Sequence, residues 1–93
     1  MSKIKSNKFV IIIPARYSSS RLPGKPLRLI NNKPLIYLTW KNITKSVENK
    51  NVYVATDSDK IRKVCDQYGM KTIMTSSTCR TGSDRVSEAS NKF

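Results

Sequence analysis

Residues 9–26 read FVIIIPARYSSSRLPGKP and join a strand pattern to a long loop pattern. The stretch begins with five consecutive apolar residues at 9–13, all β-branched or aromatic. Such a run is typical of a strand buried on both faces of a parallel sheet, and we expect it to be the central first strand. Residues 14–26 hold three prolines, one glycine and three serines, which predicts a loop. A loop of this length is more often functional than accidental, because strand-to-helix connections usually span about two to six residues.

The rest of the chain alternates extended and helical patterns. The predicted elements are an extended piece at 27–30, a turn at Asn31-Asn32, helices at 34–47, 58–68 and from 81 onward, and strands at 51–56 and 70–75. Pro34 suits the first turn of a helix, Gly69 suits a helix end, and Thr81 with Asp84 has capping-box spacing. Strands that alternate with helices imply an α/β fold with a Rossmann-like parallel sheet and right-handed crossovers.

Charged and hydroxyl residues follow each predicted strand. Ligands of parallel sheets bind outside the carboxyl ends of the strands, so the loops after residues 13, 56 and 75 are expected to share one edge. The charged candidates there are Arg16, Arg21, Lys25, Asp57, Arg80 and Arg85. Asp57 lies between a strand and a helix, and we interpret it as a helix N-cap rather than a metal ligand. Asp84 is interpreted in the same way, as a residue at a helix start.

The first loop matches neither of two common phosphate-binding motifs. A Walker A alignment places Ser19 where glycine is needed and Pro26 where a metal-binding hydroxyl is needed, and the chain's three glycines are too far apart for a dinucleotide fingerprint. What remains is a loop with Arg16, Arg21 and Lys25 beside three serines. Guanidinium and ammonium groups of this kind bind triphosphate oxygens, although ordinary surface cations would give the same composition.

The bulk composition narrows the class of partner. Eighteen Lys and Arg against six Asp and Glu give a net charge of +12, which favours an anionic partner such as a nucleotide, a nucleic acid, an acidic sugar or a membrane. The chain has no histidine, and Cys65 and Cys79 are not part of a CxxC pair, which argues against a zinc site. Lone thiols fit a reducing compartment, and the apolar run at 9–13 is too short for a signal sequence or a membrane span. We therefore expect a cytoplasmic protein.

The motifs resemble those of the 3-deoxy-manno-octulosonate (Kdo) cytidylyltransferases over residues 9–89. The matching segments are IIPARY at 12–17, Ser19, RLPGKPL at 21–27, VATD at 54–57 and GSDR at 82–85 with Glu88. The resemblance implies that Arg16, Ser19, Arg21 and Lys25 bind the phosphates of CTP. It further implies that the base and ribose lie near Pro14, Ala15, Gly82, Ser83 and Arg85. Ser83 stands where threonine is common in the family, and Cys79 stands where a histidine often precedes the motif.

The resemblance also implies a reaction. Family members join CTP to Kdo with release of pyrophosphate, forming CMP-Kdo for lipopolysaccharide biosynthesis, and they use Mg²⁺ and usually form homodimers. Their metal-binding aspartates come from a QGDEP-like segment and from a later one. We therefore expect no metal ligand within these residues, and we expect the metal ligands to lie downstream of Phe93.

The resemblance divides the chain into two parts. We expect residues 1–8 to be a basic tail. Residues 9–93 would be the nucleotide-binding part of one truncated nucleotide-diphospho-sugar transferase domain, which binds nucleotide without catalysing the reaction.

Three alternatives stay open at this point. The sugar could be 8-amino-Kdo or a sialic acid, since both belong to related cytidylyltransferases. A non-catalytic basic module that binds nucleic acid is a second possibility, although aromatic residues make up only 8 % of the chain and form no stacking stripe. A structural remnant without activity is the third. Under the main interpretation we expect CTP and the sugar as partners, and neither nucleic acid nor membrane.

Overall fold

The computed structural model describes residues 9–17, 24–76, 79 and 81–93. The predicted tail at residues 1–8, and the loop residues Ser19, Arg21 and Arg80, lie outside the described residues. The described elements are β1 Ile11–Pro14, β2 Leu29–Ile30, β3 Lys33–Pro34, α1 Leu35–Ile43, β4 Val52–Thr56, α2 Asp59–Gln67, β5 Lys71–Met74 and α3 Gly82–Ser90, with 3-10 turns at Lys25–Leu27 and Asn49–Asn51. The alternation of strands and helices agrees with the predicted α/β class.

The main described sheet is parallel, with the strand order β1-β4-β5. Val54 of β4 pairs with Ile13 of β1 on one side and with Thr72 of β5 on the other. The prediction of a central first strand is therefore wrong for the described sheet, because β4 receives a neighbour on each side. β1 lies at the border of these three strands, and Val10 just before it remains 39 % exposed.

Helices cover both faces of this sheet. On one face, α1 and α2 pack against β1 and β4 and form the larger apolar core, whose buried members include Ile36, Trp40, Val52, Val54, Ile61 and Cys65. On the other face, Ala89 of α3 packs with Ala55 and Ile73. Because successive strand residues point to opposite faces, Val54 and Ala55 serve different cores. The fold therefore has three layers, with α3 covering the second face.

Phe93 follows α3 and extends the contact of this segment with the sheet. Its ring meets the ring of Tyr53 on β4 edge to face, with 5.0 Å between the two centroids. Aromatic pairs favour this geometry, because the positive edge of one ring faces the negative face of the other. Phe93 nevertheless remains 60 % exposed, so it borders the smaller core without being buried in it.

A two-residue turn links β2 to β3. Asn31 and Asn32 have positive φ angles of 52° and 66°, which asparagine tolerates better than most residues and which match a tight hairpin. The predicted turn is confirmed. Pro34 pairs with Leu29 in this hairpin and is the N-cap residue of α1, so it lies just before the first helical turn in which it was predicted. The helix ends at Ile43, before the predicted end at residue 47.

The start of α2 depends on Ser58. Its Oγ accepts a hydrogen bond from the backbone N–H of Ile61 at 3.3 Å. The prediction that Asp57 caps this helix is therefore wrong, because Ser58 is one residue closer and occupies the cap position. Gly69 ends the helix with a φ of +71°, as predicted. The Thr81 hydroxyl accepts from the N–H of Asp84 at 3.0 Å, which confirms the predicted start of α3.

Removing the cap of α2 tests this assignment. Ser58→Ala is expected to lower the free energy of unfolding by about 1 kcal/mol, because an N-terminal backbone donor of the helix loses its acceptor. Chemical denaturation followed by circular dichroism measures the change. Ser46→Ala, at an exposed turn residue, is the matched control and is expected to stay within about 0.5 kcal/mol of the parent. Equal losses in the two variants would contradict the assignment.

Cys65 gives the core a pH dependence. The residue is fully buried, and this burial, with the negative charge of Asp66, raises the pKa of its thiol to about 11. An unfolded thiol ionises near pH 8.5. Because the folded pKa is the higher one, the stability contributed by Cys65 is present below about pH 8.5 and is lost as pH rises toward 11.

We therefore expect the free energy of unfolding to fall more steeply with pH in the parent than in Cys65→Ala over this window. The comparison cancels the titration of lysines and tyrosines, which both proteins share. Denaturation curves at several alkaline pH values measure the two slopes. Parallel slopes would contradict the prediction.

Candidate functional site

The carboxyl ends of β1, β4 and β5 meet at one border of the sheet, which we call the carboxyl edge. The N–H of Ala15 donates to the carbonyl of Ala55 at 2.9 Å, and the N–H of Thr75 donates to the carbonyl of Thr56 at 2.9 Å. Strand pairing thus continues to the point where each loop departs. The loops after β1, β4 and β5 leave from the same edge, as the sequence predicted.

A first cleft of about 220 Å³ lies between the end of β1, the 3-10 turn and α1. Its lining includes Pro14, Ala15, Lys25, Pro26 and Thr39. Three predicted site residues, Pro14, Ala15 and Lys25, are therefore brought together here, although ten positions separate Ala15 from Lys25 in the chain. Lys25 is exposed and supplies a positive charge to this cleft.

A second cleft, of about 530 Å³, lies between Pro14 and the first turns of α3. It is lined by Pro14, Gly82, Ser83, Val86 and Ser87. A Cβ at Gly82 would lie 3.5 Å from Cγ of Pro14, so α3 begins close against the end of β1. The first N–H groups of a helix have no partner within the helix and favour negative charge. Pro14 is the shared wall of both clefts.

The first loop is closed at its base by Tyr17 and Gly24. The N–H of Gly24 donates to the carbonyl of Tyr17 at 2.6 Å. Gly24 has a φ of +74°, and a Cβ there would lie 3.2 Å from Cε2 of the Tyr17 ring. The Nζ of Lys60 lies 4.8 Å from the centroid of the same ring. This closure holds Lys25 beside Ala15.

Tyr17 and Lys60 were missed as loop-supporting residues by the sequence reasoning. Two signals pointed to Tyr17: its place in the IIPARY segment at 12–17, and the glycine that follows a proline later in the same loop. Arg16, the residue before Tyr17, is exposed at the carboxyl edge, where its predicted contact with phosphate remains a prediction. The other two predicted phosphate ligands, Ser19 and Arg21, lie between the described segments 9–17 and 24–76.

Arg85 lies at the carboxyl edge, as predicted, and its side chain is buried there. Its side chain is 1 % exposed and is not among the residues that line the two clefts, so its predicted place near the base and ribose stays a prediction. Its Nη1 donates to Oγ1 of Thr75 and to the carbonyl of Ser76 at 3.5 Å, and lies 3.8 Å from Oδ1 of Asp57. The side chain is buried because Arg85 lies on the sheet-facing side of α3. Asp57, predicted to be a cap, is its ion-pair partner.

Glu88 connects α3 to the segment after β5. One carboxylate oxygen accepts from the N–H of Ser76 at 2.6 Å, and the other lies 3.6 Å from Sγ of Cys79. Burial, and then the negative charge of Glu88, raise the pKa of the Cys79 thiol above its ordinary value. The position at which the resembling family often carries histidine therefore holds a thiol that is protonated at neutral pH.

Within the described segments, no three side chains of Asp, Glu, His or Cys lie close enough together to bind a metal ion. Asp57 is a carboxylate at the carboxyl edge, and it faces Arg85. Phe93 is the last residue of the sequence, so the expectation that the metal ligands lie downstream of it stays a prediction. None of the described helices combines the length and the apolar character that crossing a bilayer requires.

Comparisons with known proteins agree with this geometry. Residues 10–93 match a family model described as cytidylyltransferase. The chain is 48 % identical over 82 residues to 3-deoxy-manno-octulosonate cytidylyltransferase 2 of Hydrogenovibrio crunogenus, covering 88 % of this chain and 33 % of that protein. It is 44 % identical over 83 residues to an 8-amino-3,8-dideoxy-manno-octulosonate cytidylyltransferase of Shewanella baltica, covering 89 % and 34 %.

A solved structure is also similar. The structure of CMP:2-keto-3-deoxy-manno-octonic acid synthetase complexed with CTP has a TM-score of 0.85 and 42 % sequence identity to this chain. The likeness covers 94 % of this chain and 36 % of that one. The chain thus spans about one third of the length of the curated relatives that it matches.

Two glycines with the same backbone conformation test the closure of the first loop. Gly24 and Gly69 both have positive φ, but only Gly24 has atoms of another residue within 4 Å of an added Cβ. Gly69→Ala is expected to cost about 1 kcal/mol of stability from backbone strain alone. Gly24→Ala carries the same strain and also displaces the Tyr17 ring.

We therefore expect Gly24→Ala to weaken the binding of inorganic tripolyphosphate several-fold, because Lys25 loses its fixed position. Gly69→Ala is the control and is expected to bind as the parent does. Calorimetric titration at a temperature where both variants are folded measures the affinities. Equal affinities in the two variants would show that the loop closure does not position Lys25.

Proposed function

The chain belongs to the cytidylyltransferase family, and on this premise we propose that it forms the CTP-binding part of a Kdo-type sugar cytidylyltransferase. The observation that carries the proposal is the pair of clefts that share Pro14. The first contains the charge of Lys25, and the second contains the N-terminal turn of α3 with Gly82 and Ser83. Both features favour an anionic ligand with an attached polar group.

In this proposal the triphosphate lies against the first loop. Arg16 and Lys25, together with Ser19 and Arg21, bind phosphate oxygens, and guanidinium groups do so in a bidentate manner. Cytosine and ribose lie toward Pro14, Ala15 and the start of α3. The backbone at Ala15 is fixed by its hydrogen bond to Ala55, so this part of the cleft is formed before nucleotide binds.

The proposed reaction is nucleotidyl transfer. The anomeric hydroxyl oxygen of the sugar acid forms a bond to the α-phosphorus of CTP, the bond from that phosphorus to the bridging oxygen breaks, and pyrophosphate leaves while the hydroxyl proton is released. Cations around the triphosphate stabilise the charge that accumulates on the leaving pyrophosphate. Arg16 and Lys25 are the described residues that would contribute to this effect. The complete activity is proposed for a protein with the length of the relatives.

The sugar acid is proposed to be Kdo, and the alternative is its 8-amino analogue. Relatives named for each of the two sugars have similar identities to this chain, 48 % and 44 %. We further propose Mg²⁺ as the cofactor, a homodimeric assembly, a cytoplasmic location and a role in lipopolysaccharide biosynthesis. Mg²⁺ would supply charge neutralisation at the phosphates. The described residues offer it no protein ligand set, so its contact in this part of the molecule would be the nucleotide.

Nucleotide titration tests the proposal. We expect CTP at millimolar concentration, with Mg²⁺, to shift NMR signals of Ala15, Lys25, Gly82 and Ser83. Lys25→Ala is expected to weaken CTP binding by about tenfold, because a charge-assisted contact to phosphate is lost. Lys45→Ala is the matched control, since Lys45 is an exposed lysine outside both clefts. It is expected to change the affinity less than twofold.

An unchanged spectrum at millimolar CTP would contradict the proposal. Binding to polynucleotide with a steep dependence on salt, and without preference for CTP, would favour the basic nucleic-acid module instead. The same two lysine variants distinguish the outcomes. A nucleic-acid module held by its general charge would lose similar affinity in Lys25→Ala and Lys45→Ala.

A further inference from the structure

We propose that Asp57, Thr75 and Arg85 form a positioning set that fixes the start of α3 against the carboxyl edge, so that Gly82 and Ser83 are held ready for the nucleoside end of the ligand. The inference rests on the proposed function and adds which residues position α3 for the nucleotide. Arg85 acts here through α3 without touching the ligand. The set therefore governs affinity for nucleoside triphosphate and leaves affinity for bare polyphosphate unchanged.

The contacts of Arg85 span three elements. Its Nη1 bonds to the hydroxyl of Thr75 after β5 and lies 3.8 Å from the carboxylate of Asp57 after β4, while Arg85 itself is in the first half of α3. Its backbone N–H donates to the carbonyl of Thr81, the N-cap residue of the same helix. One buried guanidinium thus joins the two loops to the helix turn that lines the second cleft.

Burial makes this connection stiff. A guanidinium that is 1 % exposed cannot exchange its protein partners for water, so moving α3 away from the sheet would leave its charge without compensation. Asp57 is 26 % exposed and supplies the opposite charge. Among the described residues, Nε of Arg85 has no hydrogen-bond partner, whereas Nη1 contacts Thr75, Ser76 and Asp57. Removal of the Thr75 hydroxyl is therefore expected to loosen the position of the Arg85 side chain.

The described contacts that close the first loop involve none of these three residues. Lys25 is held by the closure between Tyr17 and Gly24, on the other side of Pro14. We therefore expect a displacement of α3 to leave the affinity for a ligand of phosphates alone unchanged. The affinity for CTP is expected to fall, because in this proposal its ribose and base extend to the second cleft. Comparing CTP with inorganic tripolyphosphate separates a positioning role from a general loss of folding.

The experiment compares Thr75→Val with Thr75→Ser. Valine keeps the shape of threonine but removes the hydroxyl, whereas serine keeps the hydroxyl that Arg85 contacts. We expect Thr75→Val to bind CTP about three- to tenfold more weakly than the parent and to bind tripolyphosphate within twofold of it. Thr75→Ser is expected to bind both ligands as the parent does. All titrations are made at a temperature where circular dichroism shows each variant to be folded.

A second pair of variants tests the guanidinium. Arg85→Lys keeps the positive charge and loses the planar guanidinium group. It is expected to have the same affinities for CTP and tripolyphosphate as Thr75→Val. Arg62→Lys is the matched control, because the side chain of Arg62 on α2 is 38 % exposed and pairs with Asp59 and Asp66 at 3.6 and 3.4 Å, away from both clefts. It is expected to change neither affinity.

Amide hydrogen exchange gives a readout that does not need nucleotide. The N–H groups of Asp84 and Arg85, which donate to Thr81 at the start of α3, are expected to exchange faster in Thr75→Val than in Thr75→Ser. If the parent fails to bind CTP, the proposed function fails, while faster exchange at these amides still supports the positioning set. Parent-like CTP affinity or parent-like exchange in Thr75→Val would overturn the inference. An equal loss of CTP and tripolyphosphate affinity would also overturn it, since Arg85 would then act on the phosphates or on the whole fold.

Discussion

The parallel pairing of β4 with both β1 and β5 places every functional feature of this fold. In a parallel sheet the carboxyl ends of neighbouring strands lie side by side, so the loops after Pro14, Thr56 and Met74 are forced to one edge. The main-chain bond from Thr75 to Thr56 extends the pairing past the end of β5. Both clefts and the buried Arg85 lie at this edge because of that pairing.

Charge is distributed unevenly around the carboxyl edge. The chain has three times as many cationic as acidic residues, 18 against 6, and two of the acidic ones have structural partners there. Asp57 faces the buried Arg85, and Glu88 bonds to the backbone of Ser76. These carboxylates therefore serve the packing of α3. The exposed charge of Lys25 faces the first cleft, where a ligand with negative charge gains most from it.

Pre-organisation is a shared property of the two clefts, although each achieves it differently. The first cleft depends on main-chain geometry, with a left-handed glycine that closes the loop against Tyr17. The second depends on the buried guanidinium of Arg85, which joins α3 to the loops after β4 and β5. Fixing both before binding lowers the conformational entropy that the ligand must offset. Pro14 separates the two and gives each a rigid wall.

The α/β class, the types of the main elements and three residues of the first cleft could be predicted from the sequence. β-branched runs, the positive φ required at Gly69 and the cap at Thr81 are local signals, because their physical causes lie within a few neighbouring residues. The resemblance in the first loop predicted Pro14, Ala15 and Lys25 as one site, and they share a cleft. Three features became visible in the folded chain alone: the central position of β4, the closure between Tyr17 and Gly24, and the pairing of Asp57 with Arg85. Each of these depends on atoms that are distant in the chain, and twenty-eight positions separate Asp57 from Arg85.

An exposed and a buried arginine look the same in a sequence. Arg85 is buried because it lies on the side of α3 that faces the sheet, and that side is determined by the packing of the whole fold.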